Sequence, residues 1–268
     1  MSWREVLNEK RNMSVSDTLL KKFSRNSVNL FMQQLCFFDP WDTGLERVLV
    51  ESTPDVKAPV VAVALPGIGN VGLIALGLLL KFSDGKRFGA YCTKNFPDHV
   101  VIGENGVCHL PRFDLFSSRF VEPNIVIVMS ETPILSEESK SHYDVLDEIV
   151  RFALEMGSCL VVAVDGVAAV SGKSDLIYAS ATKPKLVKEF ERFGAKRYEA
   201  ARLPGPVGLI IGLSKYYGLN GVGVLGSATS FLPDNEAGKR VYEFLLKALN
   251  LRRVEAPADA IAKDYATP

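Results

Sequence analysis

The chain has 268 residues, 47% of them hydrophobic and 23% charged, and its 31 Lys plus Arg are matched by 31 Asp plus Glu for a formal net charge of zero. That length and apolar content can bury a full core and fit one large α/β domain with added termini. The balanced charge leaves no electrostatic footprint for nucleic acid or an anionic membrane, and no apolar run reaches membrane-spanning length.

The first segment, "MSWREVLNEKRNMSVSDTLLKKF", alternates charge with apolar residues and lacks the continuous apolar stretch of a secretion signal, so a cytoplasmic protein is expected. Val6, Leu7, Leu19, Leu20, Phe23, Leu30, Phe31 and Leu35 recur at loosely helical spacings up to Asp39-Pro40. They predict an N-terminal helical extension whose apolar side chains need a partner surface, in this subunit, a neighbour or a client. "STPDVKAP" (52–59) reads as a linker. The expected organisation is therefore extension and linker over 1–57, an α/β core over 58–250 and a flexible tail over 251–268.

Within the core, short apolar runs at 60–65, 125–129, 160–164 and 222–225 predict buried parallel strands. A helix near 137–156 places Val145, Ile149, Phe152, Ala153 and Met156 on one stripe behind a Ser136 cap. A second near 235–249 does the same with Ala237, Val241, Phe244, Leu245 and Ala248 behind Asp234. Pro184 and Gly194 bracket a third helix. In "HVVIGENGVCHL" (99–110), Asn105-Gly106 between β-rich arms predicts an antiparallel hairpin with a type I′ turn. The fold class expected is α/β, a mostly parallel central sheet flanked by helices. Cys36, Cys92, Cys108 and Cys159 are far apart, in apolar surroundings, and read as buried reduced thiols rather than disulfides or zinc ligands.

Between 65 and 73, "LPGIGNVGL" fits the dinucleotide fingerprint G-x-G-x-x-G through Gly67, Gly69 and Gly72. A dinucleotide site also needs an acid ending the second strand, to bond the ribose. Here that strand, "RFGAYCTKNF", ends without one, and Asp84 sits before it. Pro66 adds a stiffness that the fingerprint does not call for. The glycines therefore read first as a tight strand-to-helix turn, and no cofactor is expected. No G-x-S-x-G elbow, Walker A loop or H-E-x-x-H occurs, and three histidines leave little material for a metal centre.

Candidate binding residues remain at the carboxyl ends of the predicted strands, where open α/β sheets take ligands. They are Pro66, Gly67, Gly69 and Asn70 in the turn, Ser130 and Glu131 after the second parallel run, Asp165 and Gly166 after the third, and Ser227 and Thr229 after the fourth. The same residue types also serve as caps and turns, and no nucleophile and base pair assembles from them.

Four segments in series, "LPGIGNVGLIAL" (65–76), "NFPDHVVIGENGVCHLPRFDLF" (95–116), "GPVGLIIGLSKYYGLNGVGVLG" (205–226) and "FLPDNEAGKRVYEFLLKAL" (231–249), resemble the proteasome assembly chaperone family, in particular its archaeal-type members. The resemblance implies a nucleoside-phosphorylase-like fold, a homo-oligomer, and binding to other proteins, with proteasome α-ring subunits as the expected partners and no catalytic set. It also implies fold-shaping roles for the turn at 66–70, Phe96-Pro97 and Leu232-Pro233. Family members that dock by their tail end in hydrophobic-tyrosine-any, whereas this chain ends Asp264-Tyr265-Ala266-Thr267-Pro268, so tail docking is not expected. The function expected is a non-enzymatic chaperone or scaffold. The alternative is an enzyme or sensor for a nucleoside, nucleotide or phosphate, with its pocket at the carboxyl ends of the strands.

Overall fold

Short β-branched runs and the helices between them account for most of the chain described by the computed structural model, which covers residues 47–52, 54, 56–134, 139–169 and 175–254. The expected helical extension, the Ser136 cap and the tail from 255 onward lie outside the described residues. In chain order the strands are β1 (Arg47–Val50), β2 (Val60–Ala64), β3 (Lys86–Cys92), β4 (Val101–Ile102), β5 (Cys108–His109), β6 (Phe113–Ser118) and β7 (Val121–Glu122). They continue with β8 (Ile125–Met129), β9 (Leu160–Ala168), β10 (Ile177–Ala181), β11 (Lys196–Arg197), β12 (Gly221–Ala228) and β13 (Arg252–Arg253). The helices are α1 (Val71–Ser83), α2 (Ser139–Glu155), α3 (Pro184–Arg192), α4 (Gly205–Tyr216) and α5 (Asn235–Ala248).

Nine strands form one sheet in the order β1-β3-β6-β8-β2-β9-β12-β10-β11. Its centre, β8-β2-β9-β12, is parallel and in tight register, with Ala62 opposite both Ile127 and Val162. β6 runs antiparallel to β3 and β8, and β10 antiparallel to β12. The expected mostly parallel sheet flanked by helices is thus present. Every residue of β2 and β12 is buried, as strands covered on both faces must be. On one face α1 packs against α5 and β9, and α3 joins them through Phe190, 5.9 Å from the Phe244 ring. On the other face α2 packs on α4, which covers β9 and β12.

Several boundaries differ from those predicted. β9 and β12 run on to 168 and 228, so Asp165, Gly166 and Ser227 are strand residues rather than loop residues, paired as Leu225 with Asp165 and Ser227 with Val167. Small and polar residues do not end a strand when the neighbouring strand supplies every ladder hydrogen bond. β1, placed in the extension, belongs to the central sheet, and β13, placed in the tail, pairs with β7.

The 99–110 hairpin forms as a separate two-stranded sheet, with Val101 opposite His109 and Ile102 opposite Cys108. Its loop has five residues rather than two. Gly103 N–H donates to the Val107 carbonyl (2.9 Å) and Gly106 N–H to the Gly103 carbonyl (2.8 Å). A type I′ turn needs positive φ at both central residues, but only Gly106 has it (φ 77). The Asn105 side chain instead accepts from Val107 N–H (3.1 Å), holding that residue in an Asx turn. The thiols also correct an expectation: Cys92 is half-buried, whereas Cys108, on the hairpin, and Cys159, at the open amino end of β9, are exposed.

Candidate functional site

The turn from β2 to α1 is short because a buried strand must deliver the chain directly onto a largely apolar helix. Pro66 leaves the strand, residues 68–70 make a single 3-10 turn, and α1 begins at Val71. Gly69 takes the left-handed conformation (φ 63), and Asn70, a residue type that tolerates it, follows at φ 47. Asn70 N–H closes the turn on the Gly67 carbonyl (3.1 Å).

Gly67 is required for a different reason. Its backbone is extended (φ −155), a conformation open to any residue, but a Cβ there would fall on the Asp165 carboxylate. Asp165 reaches it from β9, and its Oδ1 accepts from the Gly166 N–H (2.6 Å). Burial pushes the Asp165 carboxyl up to about 6, with the Gly166 hydrogen bond pulling the other way. The third glycine of the fingerprint, Gly72, is pressed against the Val164 carbonyl, and Gly166 against that of Ile68.

A second set gathers around Asp234. Its side chain caps α5 by accepting from Ala237 N–H (3.0 Å), and it accepts from Thr229 N–H (3.4 Å). Asp234 N–H donates to the Gly69 carbonyl (2.9 Å), tying the two turns together. The sequence pointed to Asp234 as a cap. Its contact with Gly69, 165 positions away in the chain by number, had no local signal.

The remaining candidates stand apart. Ser130 is buried, and its hydroxyl donates to the Thr132 carbonyl (2.9 Å) and accepts from Thr132 N–H (3.2 Å). Glu131 beside it is exposed. Ser227 faces β10: its hydroxyl accepts from Leu176 N–H (3.0 Å), while its carbonyl accepts from Arg240 Nη2 (3.1 Å). The structure therefore joins Gly67, Asp165 and Gly166 in one contact, and Gly69 with Asp234 and Thr229 in another. It does not bring Ser130, Glu131 or Ser227 into either. Of the residue pairs singled out for shaping the fold, Phe96 is buried 5.4 Å from the Phe113 ring, whereas Leu232 is 75% exposed.

This geometry bears on the dinucleotide fingerprint in two ways. An acidic side chain occupies the space beside the first glycine, where a pyrophosphate would need positive potential. β3, the strand after α1, is separated from β2 by β8 and β6, so its end does not flank the turn as a ribose-binding strand does. Among the described residues, no three His, Cys, Asp or Glu side chains group as a metal site, and no helix is long and apolar enough to cross a membrane.

The model of the PAC2 family matches residues 61–264. An uncharacterized protein of Methanocaldococcus jannaschii, MJ1210, is 25% identical over 189 residues, covering 70% of this chain and 72% of the relative. Pyrococcus furiosus PbaB, an archaeal proteasome activator, superposes with a TM-score of 0.71 at 23% identity, over 82% of this chain and 94% of that one. Pyrococcus furiosus PbaA, an archaeal homolog of proteasome-assembly chaperone, does so with a TM-score of 0.65 at 22% identity, over 81% and 86%.

Proposed function

We propose that this chain, which belongs to the PAC2 family, is a non-enzymatic protein-binding chaperone or scaffold that acts in the cytoplasm as a homo-oligomer, with proteasome α-ring subunits as its client. Family membership and the likeness to PbaA and PbaB support the chaperone class. The observation that carries the reading is the state of the carboxyl end of the sheet. There the Asp165 carboxylate stands against Gly67 and Asp234 N–H is bonded to the Gly69 carbonyl, so the turn's own protein groups occupy the positions beside its first two glycines.

Exposed apolar side chains support the same reading. Val100, Ile102, Val107 and Leu110 on the hairpin are 48–62% exposed, and Phe231 and Leu232 are 82% and 75% exposed. A two-stranded hairpin with apolar residues in water is marginal by itself, and covering it with another protein stabilises it. The test is direct binding of the purified chain to purified proteasome α subunits, alongside its native mass. Saturable binding, and a native mass that is a multiple of 29.4 kDa, are expected. A monomer that binds no α subunit would overturn the reading.

A second reading, a small-ligand sensor, draws on the raised carboxyl of Asp165, since perturbed acids cluster at functional sites. A thermal-shift screen with nucleosides, nucleotides and phosphate separates the two, because a ligand bound only by the folded state raises its melting temperature. No shift is expected.

A further inference from the structure

We propose that Asn105 is a modification site at which the chain reacts with itself: the Gly106 nitrogen closes a succinimide on the Asn105 side chain, and water opens that ring to aspartate or isoaspartate.

The dipeptide Asn-Gly occurs twice, at 105–106 and 220–221, so the sequence offers two equal candidates. Glycine is the residue that lets this ring close, because no Cβ crowds the attacking nitrogen. What separates the two copies is how the fold holds each of them.

At the first, both residues are exposed, in the five-residue loop of the two-stranded hairpin. Asn105 Oδ1 accepts from Val107 N–H (3.1 Å). That bond closes a ring of atoms containing both the Asn105 Cγ and the Gly106 nitrogen, so it keeps electrophile and nucleophile together. The same N–H points at the oxygen on which negative charge gathers when Cγ is attacked, as an oxyanion-stabilising donor does. The nucleophile must first be freed, since Gly106 N–H donates to the Gly103 carbonyl (2.8 Å). This is a single bond at the tip of strands of two residues each, an element that opens locally at small cost. A Cβ at Gly106 would meet nothing within 4 Å, so the loop has room to pucker into the ring.

At the second, the Lys183 ammonium donates to Asn220 Oδ1 (2.7 Å) and polarises the amide, but Asn220 Nδ2 donates to the Cys159 carbonyl (3.1 Å), so the side chain is held at both ends. Gly221 opens β12, a strand buried along its whole length. Its N–H donates to Thr182 Oγ1 (3.1 Å), its carbonyl accepts from Thr182 N–H (2.9 Å), and the Asn220 carbonyl accepts from Val161 N–H (2.9 Å). A Cβ at Gly221 would fall 2.7 Å from that of Ser214. Bringing the Gly221 nitrogen onto the Asn220 Cγ therefore requires the central sheet to come apart at that end.

The reaction balances with water as its only co-reactant. The bond from the Gly106 nitrogen to Cγ forms as the Cγ–Nδ2 bond breaks, and ammonia leaves carrying the proton from Gly106. One water then adds to either ring carbonyl. Attack at Cγ leaves aspartate at 105 with the main chain intact. Attack at the main-chain carbonyl leaves isoaspartate, which lengthens the main chain by a methylene inside the loop closed by Gly103 and Val107. Both products add a negative charge beside Glu104, at the tip of the hairpin whose exposed apolar residues were described above.

The test is mass spectrometry of the native chain stored at pH 7.5, read on the tryptic peptides 95–112 and 216–239, which carry the two dipeptides. Deamidation at 105 is expected to run at least about tenfold faster than at 220, because only the second site needs the sheet to open. Aspartate and isoaspartate should both appear at 105. In urea, with both dipeptides unfolded, the two rates should converge. Gly106→Ala, whose added Cβ has open space in the folded loop, should slow the reaction at 105 and leave 220 unchanged. Equal rates in the folded chain, or an Asn105 that reacts in urea but not in the native protein, would overturn the proposal.

Discussion

Leu65-Pro66-Gly67 and Leu203-Pro204-Gly205 each lead within a few residues into Val-Gly-Leu-Ile, at 71–74 and 207–210, where an apolar helix begins. The helices, α1 and α4, lie on opposite faces of the sheet and meet the same strand. Val71 packs where β12 has Gly226, and Val207 where it has Gly223, so that a Cβ at either glycine would come within 3.0 Å of the valine. Only the first of the two turns follows a parallel strand directly and meets a carboxylate. That the second repeats the same residues without a carboxylate beside its glycine shows what they are for: they start an apolar helix tight against a sheet.

The two leading glycines are needed for different reasons, and the difference can be measured. Gly67→Ala brings a Cβ onto the Asp165 carboxylate, which must turn aside in its buried setting, and is expected to cost about 1–3 kcal/mol, read by denaturant unfolding. Gly205→Ala meets nothing within 4 Å and is penalised only for its positive φ (81), so about 1–2 kcal/mol is expected.

Of similar size is the pH dependence owed to Asp165. Its folded carboxyl titrates near 6, above the ordinary 3.8, so the folded state holds the proton more tightly. The stabilisation is fully present below 3.8 and is lost as pH rises through about 6, amounting to on the order of 2–3 kcal/mol. Asp165→Asn removes the ionisation but keeps an acceptor for the Gly166 N–H. The variant should exceed the wild type in stability at pH 7.5, and that advantage should shrink toward pH 4. Equal stability of the two at all pH values would contradict the buried placement. The smallest effect is expected at Asp234→Ala, which removes the α5 cap and the Thr229 acceptor for about 1 kcal/mol.

Much of the fold was legible because period and punctuation coincide in it. The apolar runs of β2 and β8 and the Asp234 cap of α5 were found where local chemistry put them. β6, "FDLFSS", and β10, "IYASA", were not, because each mixes polar residues into a strand whose partners lie elsewhere in the chain. In the candidate site, the glycine turn and Asp165 could each be picked out from the sequence. Their contact could not, since it depends on β2 and β9 being neighbours, a long-range pairing. The exposed Phe231 and Leu232 were hidden for the opposite reason: an apolar pair beside proline reads as a buried turn.

The most direct measurement is a double-mutant cycle on Gly67→Ala and Asp165→Gly, by denaturant unfolding at pH 7.5. If the protein's own carboxylate fills the space beside the first glycine, Asp165→Gly will recover most of the stability lost in Gly67→Ala, giving a coupling of about 1 kcal/mol or more. Strict additivity, with the alanine cheap in either background, would mean that the crevice is open and would contradict the account.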